Sequence, residues 1–314
     1  MRNDEEREPR GPHLLSRVQR TIEHRQLLTR GDGVLVACSG GPDSMTLLHV
    51  LATLSSRMQF GMAVASVDHQ LRPQAAEEVA LVGNVANALN VPFFPLKVEV
   101  PRHASLQAAA RKARYAALLA LAQAQGLHHV AVGHTRDDQA ETVLERLTRG
   151  AGVEGLGGIV PLRQDGVIRP LIDARRVHVM EYVRRYEIPF VDDPSNQDLG
   201  FKRARMRHTI LPLLAQEDSA LYDHLSQLAD DARSITQWMR HEADALLTAS
   251  QRSAMELDTE ILTQAAEPLR RMALRVWLER IAGQRLTRAQ LQAADGAAVA
   301  GGEVWLKDGW SLHK

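Results

Sequence analysis

The chain of 314 residues is long enough for two domains with a sizeable buried core. Its 38 Lys+Arg and 38 Asp+Glu balance, which excludes indiscriminate nucleic-acid binding by bulk charge and leaves only local basic patches. Aromatic residues make up 4% of the chain, too few for a broad base-stacking platform.

In chain order, residues 1–12 read as a charged, disordered tail without the apolar centre of a signal peptide. Leu14, Leu15, Val18 and Ile22 then recur at helical spacing. Gly31-Asp32-Gly33 is a turn before a first strand, Val34 to Cys38. A helical pattern follows at Leu47, Leu48, Leu51 and Leu54. A second strand is read at Met62–Val67, a helix over 74–90 and a third strand within Val91–Val100. An alanine-rich helix covers about 105–125, a fourth strand 129–133 and a helix 136–148. Gly150–Gly158 is a glycine-rich loop, read either as a flap that closes over a substrate or as plain surface. A β-like piece, Val167 to Pro170, precedes a helix near 175–186.

Strands alternating with helices predict an α/β fold, a parallel, doubly wound, Rossmann-like sheet. From about 216 the alternation stops. Helices are read over 217–250, 267–282 and 287–295, and residues flanking Asp308-Gly309 read as a β-hairpin. The expected organisation is a catalytic domain over 13–215 and a smaller, mainly helical domain over 216–314. No apolar run reaches the ~20 residues of a membrane span. A lone cysteine, Cys38, cannot form an internal disulfide, a zinc cluster or an iron–sulfur site. A cytoplasmic protein is expected.

Ser39-Gly40-Gly41-Pro42-Asp43-Ser44 sits between the first strand and its helix. Glycines let backbone amides approach a phosphate, and the helix N-terminus points its N–H groups and dipole at it. No Gly-Lys-Ser/Thr follows, so this is not a Walker A loop. A lysine-free cradle of amides and hydroxyls suits pyrophosphate, and hence cleavage of ATP between its α and β phosphates. Asp68 and His69 follow the second strand and His134 the fourth. Three separate segments thus bring polar groups to the rim where open parallel sheets bind ligands. Asp138 and Glu141 share a helix face, as do Asp137 and Glu141. They read either as first-turn carboxylates suited to the helix dipole or as ligands of Mg²⁺ or a cationic substrate. Asp43 is the other candidate metal contact. Arg111, Arg114 and Tyr115 share a face that is either solvated or set against ATP or another anion. Arg163, Arg169, Arg175, Arg176, Arg203 and Arg207 add basic character.

These blocks resemble the PP-loop of the N-type ATP pyrophosphatases and, within that group, the tRNA(Ile)-lysidine synthases. The matching blocks are Ser39–Ser44, Val67–Arg72, Ala110–Tyr115, Gly133–Thr142, Leu147–Gly152, Arg169–Leu171, Asp193–Asn196 and Arg203–His208. Ala204 departs from the Asn usual in the last block. The resemblance implies ATP and Mg²⁺ as cofactors and tRNA(Ile) with a CAU anticodon and L-lysine as substrates. It implies an adenylated wobble cytidine as intermediate, a catalytic role for Asp43, His134, Asp138 and Glu141, and Mg²⁺ on Asp43 and Asp138. It places ATP on Ser39–Ser44, Asp68, His69 and Arg114, and lysine or tRNA on Arg111, Arg203 and Arg207. It also implies tRNA docking by the C-terminal domain, and relatives of this kind are often homodimers. The rival readings are a PP-loop tRNA thiolase, disfavoured by the single cysteine, and a small-molecule adenylating ligase.

Overall fold

The computed structural model describes residues 13–68, 75–98, 106–192, 198–283, 286–305 and 311–313. They divide into two compact units. The first holds residues up to Ala151 together with Gly158–Ala229; the second holds Gly152–Gly157 and everything from Asp230 onward.

The first unit runs α1 (Leu14–His24), β1 (Gly33–Ala37), α2 (Pro42–Met58), β2 (Gly61–Asp68), α3 (Ala75–Ala88), β3 (Phe93–Lys97), α4 (Leu106–Ala124), β4 (His129–Ala131) and α5 (Arg136–Thr148). The short helix α6 (Val153–Leu156) belongs to the second unit. The first resumes with β5 (Val167–Ile168), α7 (Arg176–Arg185), α8 (Lys202–Arg205), a π-helical turn (Met206–Ile210) and α9 (Leu211–Glu217). All five strands pair in parallel, in the order β3-β2-β1-β4-β5. This is the doubly wound sheet expected from the alternation.

The apolar runs arise because the central strands are covered on both faces. Val34 and Val36 face a core shared with Val18 and Ile22 of α1, Leu47 and Leu51 of α2, Val82 of α3 and Val183 of α7. Leu35, one residue out of phase, joins Ala63, Val130 and Leu118 of α4 on the other face. The chain leaves β1 on one side for β2 and returns on the other for β4. The crevice at that reversal lies over the carboxyl ends of β1 and β4.

Pro212 explains a feature that periodicity missed. A proline inside a helix removes one N–H and its ring crowds the preceding turn. The backbone responds by widening: Leu211 N–H reaches back five residues to Met206 C=O, the geometry of a π-bulge. The helix expected over 217–250 begins four residues later, because Asp218 ends α9 and its side chain accepts from Ala220 N–H at 2.9 Å. α10 (Leu221–Ser250) follows, and the division between units falls inside it.

The second unit continues with β6 (Gln251–Ser253), β7 (Glu256–Leu257), α11 (Thr259–Gln264), α12 (Glu267–Ala282), α13 (Arg288–Ala300), β8 (Glu303–Trp305) and β9 (Ser311–His313). Its core is Ala243, Leu247, Leu262, Met272, Leu274, Trp277, Leu291 and Ala294. The expected hairpin is present as antiparallel β8–β9; its Asp308-Gly309 turn lies outside the described residues. The glycine-rich stretch after α5 contains α6. Glu154 accepts from Arg240 at 2.6 Å and from Arg275, and Gly157 C=O accepts from Arg233.

Candidate active site

β1 ends at Ala37, and the next residues turn sharply into α2. Gly40 has φ +81°, a conformation that side chains rarely tolerate. Its carbonyl accepts from Val191 N–H at 2.9 Å. Pro42 occupies the first turn of α2, where its missing N–H is no loss. Ser44 Oγ donates to Gly41 C=O at 2.9 Å and accepts from Ser39 N–H at 3.1 Å. The serines therefore fix the turn as well as offering hydroxyls. Gly133, at the end of β4, must also lack a side chain: a Cβ there would stand 3.0 Å from the Asp43 carbonyl carbon and 3.1 Å from Ser44 N. That requirement brings the start of α2 against the end of β4 and closes the crevice floor.

The cavity above has a volume of about 710 Å³. Among the described residues it is lined by Ser39, Gly41, Pro42, Asp43 and Ser44, by Arg111, Arg114 and Tyr115, by His134 and Asp138, and by Arg176, Arg203, Ala204 and Arg207. Asp68 ends β2, whose Ser66 and Val67 line the same cavity. His69 lies outside the described residues, as do Asp193–Asn196.

Asp43 has one oxygen in an ion pair with Arg176, at 3.1 Å, and the other buried with no hydrogen-bond partner among the described residues. Burial pushes its pKa up to about 6; Arg176 and Arg207 oppose the rise, and Asp138 and Asp137 add to it. An unsatisfied buried carboxylate oxygen beside a phosphate cradle is suited to a cation.

The other carboxylates are saturated. Asp138 Oδ2 accepts from Thr135 N–H at 2.7 Å and Thr135 Oγ at 2.9 Å, forming a capping box at the start of α5. Asp138 Oδ1 accepts from Arg203 at 2.6 Å and Arg207 at 3.0 Å. Glu141 accepts from Arg203 Nε at 2.8 Å and from Arg207 Nε. Burial alone would raise Asp138, but Arg203, His134, Arg207 and the Thr135 N–H together hold it below the usual carboxylate range. Asp138 thus caps α5 with one oxygen, as its place in the first turn suggested, and holds two arginines with the other. Asp137, the alternative partner of Glu141 on the helix face, is turned instead to Arg176 N–H at 2.7 Å and Arg175 Nε at 3.2 Å.

Part of the lining, Arg111 and Arg114, is cationic, and Arg163 and Arg169 stand behind it around Tyr115. Arg111 and Arg163 stack on the Tyr115 ring at 5.2 and 5.1 Å. Arg114 is desolvated, which lowers its pKa. Arg169, 3% exposed, donates from Nε to His134 Nδ1 at 3.2 Å and from Nη1 to Val160 C=O. Among the described residues, only Arg163 of these four arginines is paired with a carboxylate, that of Asp165. An anionic ligand of high charge is what such a lining attracts. Sequence reasoning singled out neither Arg169 nor Arg176 for the site. They act across 35 and 133 residues of chain, a separation that leaves no local pattern.

A model of the PP-loop domain matches residues 14–214. A tRNA(Ile)-lysidine synthase of Methylobacterium nodulans is 40% identical, over 80% of this chain and 74% of its own. The chain belongs to the tRNA(Ile)-lysidine synthase family. Further relatives so named come from Symbiobacterium thermophilum, 36% identical over 93% of this chain and 65% of theirs, and Rhodopseudomonas palustris, 42% identical over 59% and 55%. The chain thus spans less than two thirds of the length of these last two lysidine synthases. Among solved structures, the U34-tRNA thiolase NcsA of Methanococcus maripaludis, which carries a [4Fe-4S] cluster, superposes with a TM-score of 0.60 at 14% identity. The match covers 69% of this chain and 76% of that one; at that identity it shows the shared fold.

Proposed function

We propose that this protein joins L-lysine to C2 of the wobble cytidine of a tRNA(Ile) with a CAU anticodon, at the expense of ATP. The observation that carries this reading is that, in a lysidine synthase family member, one cavity is lined both by a lysine-free glycine–serine turn and by Asp138, which shares Arg203 and Arg207 with the buried Glu141.

Cytosine C2 is a poor electrophile until its oxygen becomes a leaving group. In the first step O2 attacks the α phosphorus and pyrophosphate departs. The Ser39–Ser44 turn and the α2 N-terminus hold the departing phosphates, and Arg111 and Arg114 neutralise the remaining charge. In the second step the lysine ε-amine attacks C2, the C2–O bond to AMP breaks, and the amine loses a proton. Free lysine titrates near ~10.4, so the amine must be desolvated and held. Asp138 and Glu141 supply an anionic, buried seat for it, in which the ammonium takes up bonds now made by Arg203 and Arg207. Mg²⁺ fits Asp43, whose buried oxygen lacks a partner; bound there, it would neutralise charge on the leaving pyrophosphate. Asp138 is assigned to lysine. The second unit is assigned to docking tRNA outside the anticodon.

Sulfur transfer is disfavoured by Cys38. It is buried, and desolvation pushes its thiol up to about 11, far from a reactive thiolate. The deciding experiment incubates the protein with ATP, Mg²⁺, labelled lysine and tRNA(Ile) bearing CAU, with tRNA(Met) as control. Labelled tRNA(Ile) with equimolar AMP and pyrophosphate is expected. ADP as product, or no label in RNA, overturns the reading.

A further inference from the structure

His134 sits at the cavity wall with a ring whose polarity is set from outside. Its Nδ1 lies 3.2 Å from Arg169 Nε. A guanidinium has donors only, so this bond runs in one direction and leaves Nδ1 without a proton. Desolvation, with Arg169, Arg203 and Arg111 nearby, pulls His134 down to about 3 against the opposing pull of Asp138. The ring is therefore neutral at working pH and its single proton is on Nε2.

Arg169 is built for this task. It is almost wholly buried, anchored at the far side by Val160 C=O. No described carboxylate is paired with it; it is hydrogen-bonded to Tyr115, and the arginines 163 and 111 stand near. Burying a guanidinium without a carboxylate is unfavourable, and an apolar side chain would fill the same space more readily. What the charge does is exclude a proton from Nδ1.

We infer that Arg169 is a positioning residue that fixes His134 as a hydrogen-bond donor at Nε2, for a phosphate or leaving-nucleotide oxygen in the cavity. The inference rests on the lysidine-forming reading for the identity of that oxygen. It makes the catalytic role that the resemblance implies for His134 that of a hydrogen-bond donor.

The test uses the full chain labelled with ¹⁵N-histidine. The His134 signals are assigned from their loss in His134→Gln, and two-bond ¹H–¹⁵N correlations report which ring nitrogen is protonated. Wild type is expected to carry the proton on Nε2 alone, and Arg169→Met to show a mixture. Arg169→Met is also expected to lose about 10–100-fold in kcat with KM for lysine little changed, and Arg169→Lys to recover part of it. His134→Gln, whose amide can donate from near the Nε2 position, should retain more activity than His134→Asn. A proton on Nδ1 in the wild type, an unchanged tautomer in Arg169→Met, or equal activity of His134→Gln and His134→Asn would overturn the proposal. The tautomer is read without tRNA or lysine, so a failed lysine-transfer assay would leave that part standing.

Discussion

Each unit contains a buried network of carboxylates and arginines, and the two networks differ in how they meet solvent. In the first unit Asp138 and Glu141 hold Arg203 and Arg207, yet Arg203 is 49% exposed and opens onto the cavity. In the second unit Asp295, 6% exposed, holds Arg270 at 2.6 Å and Arg271 at 3.0 Å; Arg270 is 11% exposed, and Arg271, 33% exposed, also pairs with Glu267 at the surface, so the Asp295–Arg270 pair is the sealed part. A sealed network can do no more than fix packing, because removing a partner leaves a charge with nowhere to go. An open network can exchange a cation. The same ionic chemistry is structural in one place and available to a ligand in the other.

The largest expected effect breaks the sealed network. Asp295→Asn removes the carboxylate paired with the buried Arg270, while Arg271 keeps Glu267, and should destabilise the protein by about 3–5 kcal/mol, measured by urea unfolding. An unchanged midpoint would erase the distinction between the networks. Next, Asp138→Asn should lower kcat/KM for lysine by about 10²–10³-fold. Lysine transfer at the wild-type rate would remove Asp138 from its assigned role.

The two cavity carboxylates should also respond oppositely to pH. Native Asp43 titrates at about 6, whereas an unfolded Asp titrates near ~3.9. The native state therefore keeps a proton that the unfolded chain has lost. Stability should fall as pH rises from about 4 to about 6, by up to about 3 kcal/mol from this group. Asp138 is depressed, so its contribution is present at neutral pH and is lost as pH falls through its native value. Chemical denaturation of Asp43→Asn at pH 4.5 and 7 should show the first slope removed; a slope that persists in the variant assigns it elsewhere. The smallest effect is Gly133→Ala, about 1–3 kcal/mol from overpacking against the α2 backbone. Weaker ATP binding should accompany it, and wild-type ATP affinity would show that the crevice floor tolerates a methyl group.

Much of the first unit was legible because its signals are local. The Ser39–Ser44 turn joins β1 to α2 where its glycines and proline indicated, and α5 occupies Arg136–Thr148 as its pattern indicated. Asp138 and Glu141 share a face because three residues separate them. What was hidden is non-local or subtle. Arg169 and Arg176 enter the site only through tertiary contacts. Asp137 was indistinguishable from Asp138 until α7 claimed it. The widened turn before α9 required weighing Pro212 against a helical run, and the β6–β7 pair is too short to show alternation.

The α6 excursion has a consequence for biosynthesis. Glu154 leaves the ribosome 86 residues ahead of Arg240 and 121 ahead of Arg275, the two side chains that hold it. At ~5–20 residues per second, that loop waits roughly 4–24 s for its partners. The amino-terminal half of the polypeptide is thus left with an untied loop until translation is nearly complete, and a nascent chain stalled before Arg240 should be nicked by protease within Val153–Leu156.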